Sequence, residues 1–190
     1  TFLAQSAQNL PPAGALVVGE PTANYPCIAH KGVIWLEAQA DGVAAHGSVP
    51  EKGVNAIYKA ARAILRLQTL SFPTPGNPIL GAPTLNIGTI GGGNAINIVP
   101  DRVMFTVDIR TIPGQSHAAI YRQIEDCLGA DARISNRRLD CQPVETDANH
   151  PWIKDVFGIM EPILKVRPAP RGMAYFTDAA ALTSPLGNPP

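Results

Sequence analysis

Between Gly32 and Cys141 the apolar period switches twice from two to about 3.6 and back, which leaves few folds open. From Gly32 to Ala40, the residues Ile34, Leu36, Ala38 and Ala40 fall on one side, and Val33, Trp35, Glu37 and Gln39 fall on the other. That alternation marks a half-buried strand. Next, Val54, Ile57, Tyr58, Ala61, Ile64 and Leu65 recur at three- and four-residue spacing, one apolar stripe on a helix that ends before Phe72-Pro73. A Pro- and Gly-rich loop over 73–83 leads to a strand from Thr84 to Ile90. A further strand from Arg102 to Arg110 turns Val103, Phe105, Val107 and Ile109 to the core and Met104, Thr106, Asp108 and Arg110 away from it. After Pro113-Gly114 a second amphipathic helix carries Ile120, Tyr121, Ile124, Cys127 and Leu128, and a polar edge strand runs from Arg133 to Cys141. Strand, helix, strand, strand, helix, strand is the βαββαβ order of a ferredoxin-like sandwich, an α+β fold over roughly residues 30–142.

The flanks read differently. Residues 3–9 suggest the tail of a helix, broken by Pro11-Pro12, and Ala15 to Gly19 suggest a short buried strand ending at Glu20. Asn149 is expected to cap a helix starting at Pro151, with Ile153, Val156, Phe157 and Met160 as its apolar face. A strand over 169–176 and a helix opened by Thr177-Asp178 follow. The chain is thus expected to leave one domain near Thr22, build a second, and return to the first near Glu145, with boundaries at 1–25, 26–143 and 144–190. It starts Thr1-Phe2-Leu3 and stops at Asn188-Pro189-Pro190, and is expected to be an internal piece of a longer protein.

Fifteen Lys plus Arg balance fifteen Asp plus Glu, so no basic field awaits nucleic acid or anionic lipid, and small molecules or proteins are the expected partners. Three scattered cysteines, Cys27, Cys127 and Cys141, make no disulfide framework, and a reducing, cytoplasmic setting is expected. No apolar run approaches the ~20 residues of a membrane-spanning helix.

Several residues can carry chemistry. A carboxylate at a strand end, Glu20, can ligate a divalent metal, although such residues are commonly turn or capping groups. His46, in the loop Ala45-His46-Gly47-Ser48-Val49-Pro50, can donate a hydrogen bond to a developing oxyanion; the alternative is a surface histidine in a turn. Ser48 as a nucleophile is set aside, since no G-x-S-x-G elbow surrounds it. The run Gly91-Gly92-Gly93-Asn94 matches no phosphate loop. Asn97 and Arg110 bracket a strand, and Arg110 lies on its non-core face, where a guanidinium fork can meet a substrate carboxylate. A salt bridge to Asp108 is the competing reading, and both stay open. His30, His117 and His150 share no ligand spacing and read as surface or structural. Asp178 can be a helix N-terminal charge.

Together, Val18-Gly19-Glu20-Pro21-Thr22, Ala45-His46-Gly47-Ser48, Gly92-Gly93 with Asn97-Ile98-Val99-Pro100-Asp101, and Val107-Asp108-Ile109-Arg110 resemble the dinuclear zinc amidohydrolases. That family includes acetylornithine deacetylase, succinyl-diaminopimelate desuccinylase, aminoacylase and glutamate carboxypeptidase. The resemblance implies that Glu20 ligates one of two zinc ions (or cobalt or manganese) in a catalytic α/β domain and that 26–143 form its lid, which makes a homodimer. It further implies that His46 reaches the partner subunit's site, and that Asn97, Arg110, Thr177 and Asp178 bind an N-acyl amino acid or short peptide with a free carboxylate. The family's remaining ligands and its general-base glutamate have no match here. The 190 residues alone are therefore expected to bind no metal and to hydrolyse nothing, while the full protein is an enzyme. The competing class is a non-catalytic dimerisation or binding module.

Overall fold

A computed structural model describes residues 11–190; the helix expected at 3–9 lies outside the described residues. Four strands of nine or ten residues form one antiparallel sheet. They are β2 (Gly32–Asp41), β4 (Thr84–Gly92), β6 (Arg102–Thr111) and β7 (Arg133–Cys141), in the order β4-β6-β2-β7. Strand β2 lies in the middle, paired with β6 through an unbroken register from Gly32↔Thr111 to Asp41↔Arg102, and with β7 across two irregularities. The polar strand β7 is an edge, as its composition predicts. The other edge, β4, is bulged between Ile87 and Ile90.

Two helices, α1 (Ala56–Gln68) and α2 (His117–Leu128), cover one face of this sheet. The core between them holds Ile34, Leu36, Val103, Phe105, Val107, Ile109, Ile124 and Leu128, all at most 2% exposed. Helix α1 starts where the Asn55 side chain accepts from the amides of Ile57 and Tyr58. Helix α2 starts where Ser116 accepts from Ala119. Each cap satisfies amides that have no partner within the helix.

The packed face of α1 is not the stripe expected from spacing. Ala56, Ala60, Ala63 and Leu67 face the sheet, whereas Ile57, Tyr58 and Leu65 are 40%, 66% and 60% exposed. The large sheet residues below, Phe105 and Leu36 among them, favour alanines over most of this face if the helix is to sit close. Leu67 and, in part, Ile64 still pack on the core, while Ile57, Tyr58 and Leu65 point outward.

At one end of the sandwich a second small sheet ties the chain's crossings together. Its strands are β1 (Ala29–His30), β8 (Val144–Glu145) and β9 (Gly172–Met173), ordered β8-β1-β9. Gly32, just past β1, admits no side chain: a Cβ there would lie 2.3 Å from Thr111 Oγ1 and 2.7 Å from Cys141 O. Next to it, the buried His117 joins Asp140 (2.5 Å) and Thr111 Oγ1 (2.9 Å), and Tyr121 donates to the same carboxylate. This polar chain makes His117 structural. His30 is also buried rather than on the surface.

Four expectations outside the sandwich change. Ala15 to Gly19 form no strand, because only Ala13 and Leu16 nearby give their amides to backbone acceptors (Leu186 O and Pro190 O) and Val17 is 78% exposed. An apolar run without a neighbouring ladder cannot become a buried strand. Asn149 does not cap α3 (Pro151–Leu164); His150 does, accepting from the Trp152 amide, while the Asn149 amide is drawn to Asp147. The strand expected over 169–176 shrinks to β9, since β1 offers two residues to pair with and Pro168 and Pro170 cannot donate. Only the four-residue α4 (Ala179–Leu182) follows Thr177-Asp178.

Candidate functional site

The sheet face turned away from the helices carries Trp35, Glu37 and Gln39 from β2 and Met104, Thr106, Asp108 and Arg110 from β6. Register places Trp35 opposite Asp108 and Val33 opposite Arg110. Asp108 becomes a shared anchor: it accepts from Trp35 Nε1 at 3.0 Å and pairs with Arg110 at 3.0 and 3.1 Å through Nε and Nη2. Of the two readings open for Arg110, the salt bridge to Asp108 forms, through the Nε and Nη2 side of a guanidinium that has five donors. Among the described residues no partner meets its other edge, Nη1 and the outer hydrogen of Nη2, whose shape suits a planar anion. The Arg110 Cζ lies 6.0 Å from the Trp35 ring, and Phe176 meets that ring edge-on at 6.1 Å. Lys31, buried on the same side, donates to Ala82 O at 2.5 Å. Burial, and then the charge of Arg110, hold its ammonium below the ordinary lysine range.

Glu20 is half-buried and follows the irregular segment 11–19, in a turn closed by the Thr22 amide on its own carbonyl. It lines a cleft of about 390 Å³ with Cys27, His30 and Thr177. Burial lowers the His30 imidazole despite the opposing pull of its Lys31 carbonyl partner and of Glu20, and burial raises the Cys27 thiol. His30 Nδ1 gives its proton to Lys31 O at 2.9 Å, leaving Nε2 buried without a protein partner, as is the Tyr175 hydroxyl. Thr177 is buried, and its hydroxyl caps α4 by accepting from the Ala179 amide; Asp178 is exposed and makes no capping bond.

His46 and Asn97 sit elsewhere. The short strands β3 (Ala45–His46) and β5 (Ile98–Val99) pair, and the Gly47 amide donates to Asn97 O at 2.7 Å. This brings the two loops into contact. His46 is exposed, and its Nδ1 accepts from the Ser48 amide at 3.2 Å and approaches Ser48 Oγ at 2.7 Å. An acceptor at Nδ1 puts the neutral ring's proton on Nε2, a donor aimed outward. This explains Ser48: it orients a histidine and is no nucleophile.

The candidates thus fall into two groups. Arg110 sits near the end of β6 that meets the small sheet, and Trp35 beside it meets Phe176, the residue before Thr177; Thr177 and Glu20 both line the cleft. His46 and Asn97 lie beyond the Arg102 end of β6, whose span from Arg102 to Arg110 is about 26 Å at ~3.3 Å per strand residue. Glu20 alone does not make a metal site: a catalytic zinc takes three protein ligands, and among the described residues no three of His, Cys, Asp or Glu gather. Sequence reading missed Trp35, Phe176 and Lys31. Only the placement of Trp35 on the non-core face of β2 hinted at the first.

Residues 28–135 match the model of the peptidase dimerisation domain of the M20 family. The chain is 34% identical over 114 residues to acetylornithine deacetylase of Myxococcus xanthus, covering 57% of this chain and 30% of that protein. It is 30% identical over 171 residues to a probable carboxypeptidase of Aspergillus fumigatus, covering 83% and 39%. It therefore spans roughly a third of the curated relatives it matches. An M20 family metallo-carboxypeptidase from Sulfolobus solfataricus superposes on 98% of the chain and 56% of its own length, at TM-score 0.73 and 15% identity. Aminopeptidase PepT from Bacillus cereus covers 86% and 43%, at TM-score 0.68 and 22% identity, and both show a common fold. With more than half of its residues inside the dimerisation-domain match, the chain belongs to the M20 peptidase family.

Proposed function

We propose that the chain is the lid-bearing part of a metal-dependent amidohydrolase that cleaves an N-acyl amino acid or short peptide with a free carboxylate. In this reading residues 26–143 are a ferredoxin-like lid, which the strand order β4-β6-β2-β7 and two helices on one face support. Residues 11–25 and 144–190 belong to the catalytic domain. Glu20 supplies one ligand of a zinc centre (cobalt and manganese being the other candidates) that the rest of the protein completes, and the 190 residues by themselves do not hydrolyse substrate. The free edge of Arg110 takes the substrate carboxylate beside Thr177 and Asp178, while His46 donates Nε2–H to the oxyanion with Asn97 next to it. The setting is cytoplasmic.

The observation that carries this reading is the distance between the two groups. Arg102 and Arg110 stand about 26 Å apart along β6 at ~3.3 Å per residue, and His46 pairs with Ile98 beyond the Arg102 end, so a single copy cannot apply both His46 and Arg110 to one small substrate. A second copy can, and the outward apolar residues of α1 (Ile57, Tyr58, Leu65) with the adjoining exposed Val54 support a homodimer. The test mixes two variants of the full-length enzyme. His46→Ala is expected to cost about 10²- to 10³-fold in rate, and Arg110→Ala is expected to raise KM for carboxylate substrates. In the mixed dimer one site regains the wild-type set and activity returns. No return on mixing would overturn the cross-subunit assignment.

A further inference from the structure

We infer that Trp35 is a specificity-determining residue that receives an aromatic or branched apolar side chain of the substrate, an inference that rests on Arg110 holding the carboxylate. The indole is fixed twice: Nε1 is bound to Asp108 at 3.0 Å, and its ring is met edge-on by Phe176 at 6.1 Å. Yet the residue remains 38% exposed. A buried-quality orientation with an open face is unusual on a sheet surface and suits a platform for a flat or apolar group. The same carboxylate that pins the ring also orients the guanidinium. Ring and fork therefore keep one relative geometry, with the guanidinium carbon 6.0 Å from the indole centroid.

An amino acid bound by its carboxylate at the other edge of that fork has its Cα one bond beyond the carboxylate carbon. The acyl-amide nitrogen on Cα must lead toward Glu20, so the substituent left beside the fork is the side chain, which falls on Trp35. Its charge is constrained as well. Arg110 lies at the spot, and Lys31 is close enough to feel its charge. A second cation on the substrate would face two like charges, with Asp108 already engaged by Arg110 and Trp35. The site therefore favours N-acyl phenylalanine and leucine over N-acylornithine, although a relative is named for the latter.

The experiment measures kcat/KM of the full-length, metal-loaded enzyme on N-acetyl-phenylalanine, N-acetylglycine and N-acetylornithine. Wild type is expected to prefer the first over the third by about 10-fold or more. Trp35→Ala should lower the phenylalanine-to-glycine ratio by about 10-fold, and Trp35→Phe should retain most of it. An equal loss on phenylalanine and glycine substrates, or a wild-type preference for ornithine, would overturn the inference. A binding arm separates this from failure of the functional reading. With every other tryptophan of the full-length enzyme replaced by phenylalanine, Trp35 is the reporter, and free phenylalanine should perturb its fluorescence whereas ornithine should not. If Arg110→Ala leaves that response and all activity intact, the carboxylate clamp is wrong. If Trp35→Ala leaves the phenylalanine-to-glycine ratio unchanged while Arg110→Ala raises KM for both substrates, the platform is wrong and the clamp stands.

Discussion

The two helices on the sandwich share a sheet and yet use it in opposite ways. In α2 the large apolar residues Ile120, Tyr121, Ile124 and Leu128 are all buried, so spacing identifies its inner face directly. In α1 alanines are buried, and Ile57, Tyr58 and Leu65 are presented to solvent. A helix that seals its own domain puts its bulk inward. One whose bulk points outward has a second surface to satisfy, and here the lid's proposed partner is that surface.

The largest effect should come from the inward bulk. Ile124→Ala, at a fully buried position, should cost about 2–5 kcal/mol in chemical denaturation of the protein; a cost below about 1 would mean that α2 packs less tightly than described. The alanine face gives the reciprocal test. Ala60→Leu, also fully buried, should cost about 1–3 kcal/mol through overpacking, whereas a neutral result would mean that α1 can lift from the sheet. A smaller, pH-dependent effect concerns the link between the helices, where Arg62 and Arg66 of α1 grip Asp131 just after α2. The hydrogen bond from Arg62 and, after it, that from Arg66 hold the Asp131 carboxyl below 3.8, its ordinary value. The folded pKa is depressed, so its stabilisation is present above that value and is lost as pH falls through the folded one. Asp131→Asn should flatten the melting temperature against pH below about pH 4, and an unchanged slope would discount the link. Smallest in folding is Leu65→Ser: on this exposed position it should shift monomer stability by no more than about 0.5 kcal/mol. In sedimentation it should weaken self-association, and an unaltered dimer would remove α1 from the interface.

The same contrast explains what the residues disclosed. Period-two alternation identified the faces of β2 and β6, because a sheet buried on one side sorts its residues by polarity. The face of α1 stayed hidden, since alanine gives a weak apolar signal and the bulky residues carry the stronger periodicity on the wrong side. His46 was visible as a residue, but its tautomer depends on Ser48 two positions on. Asp108 and Arg110 looked like competing readings of one charge and turned out to be a single assembly with Trp35. Phe176 joins that assembly from a distant stretch of sequence, and no local pattern announces it. The misread strand before Glu20 shows the limit of composition: apolar content proposes a strand, but ladder partners decide it.

The small sheet β8-β1-β9 also has a kinetic meaning. Ala29 pairs with Glu145 and with Gly172, so the whole sandwich from β2 to β7 is enclosed between the first pair. Closing so long a loop in a disordered chain costs entropy that two-residue strands cannot offset, whereas a sandwich already formed brings those ends together at no further cost. The lid should therefore fold first and by itself, with the crossings pairing last and opening first. Amides of β1 and β9 should then exchange with solvent hydrogen while the centre of β2 remains protected.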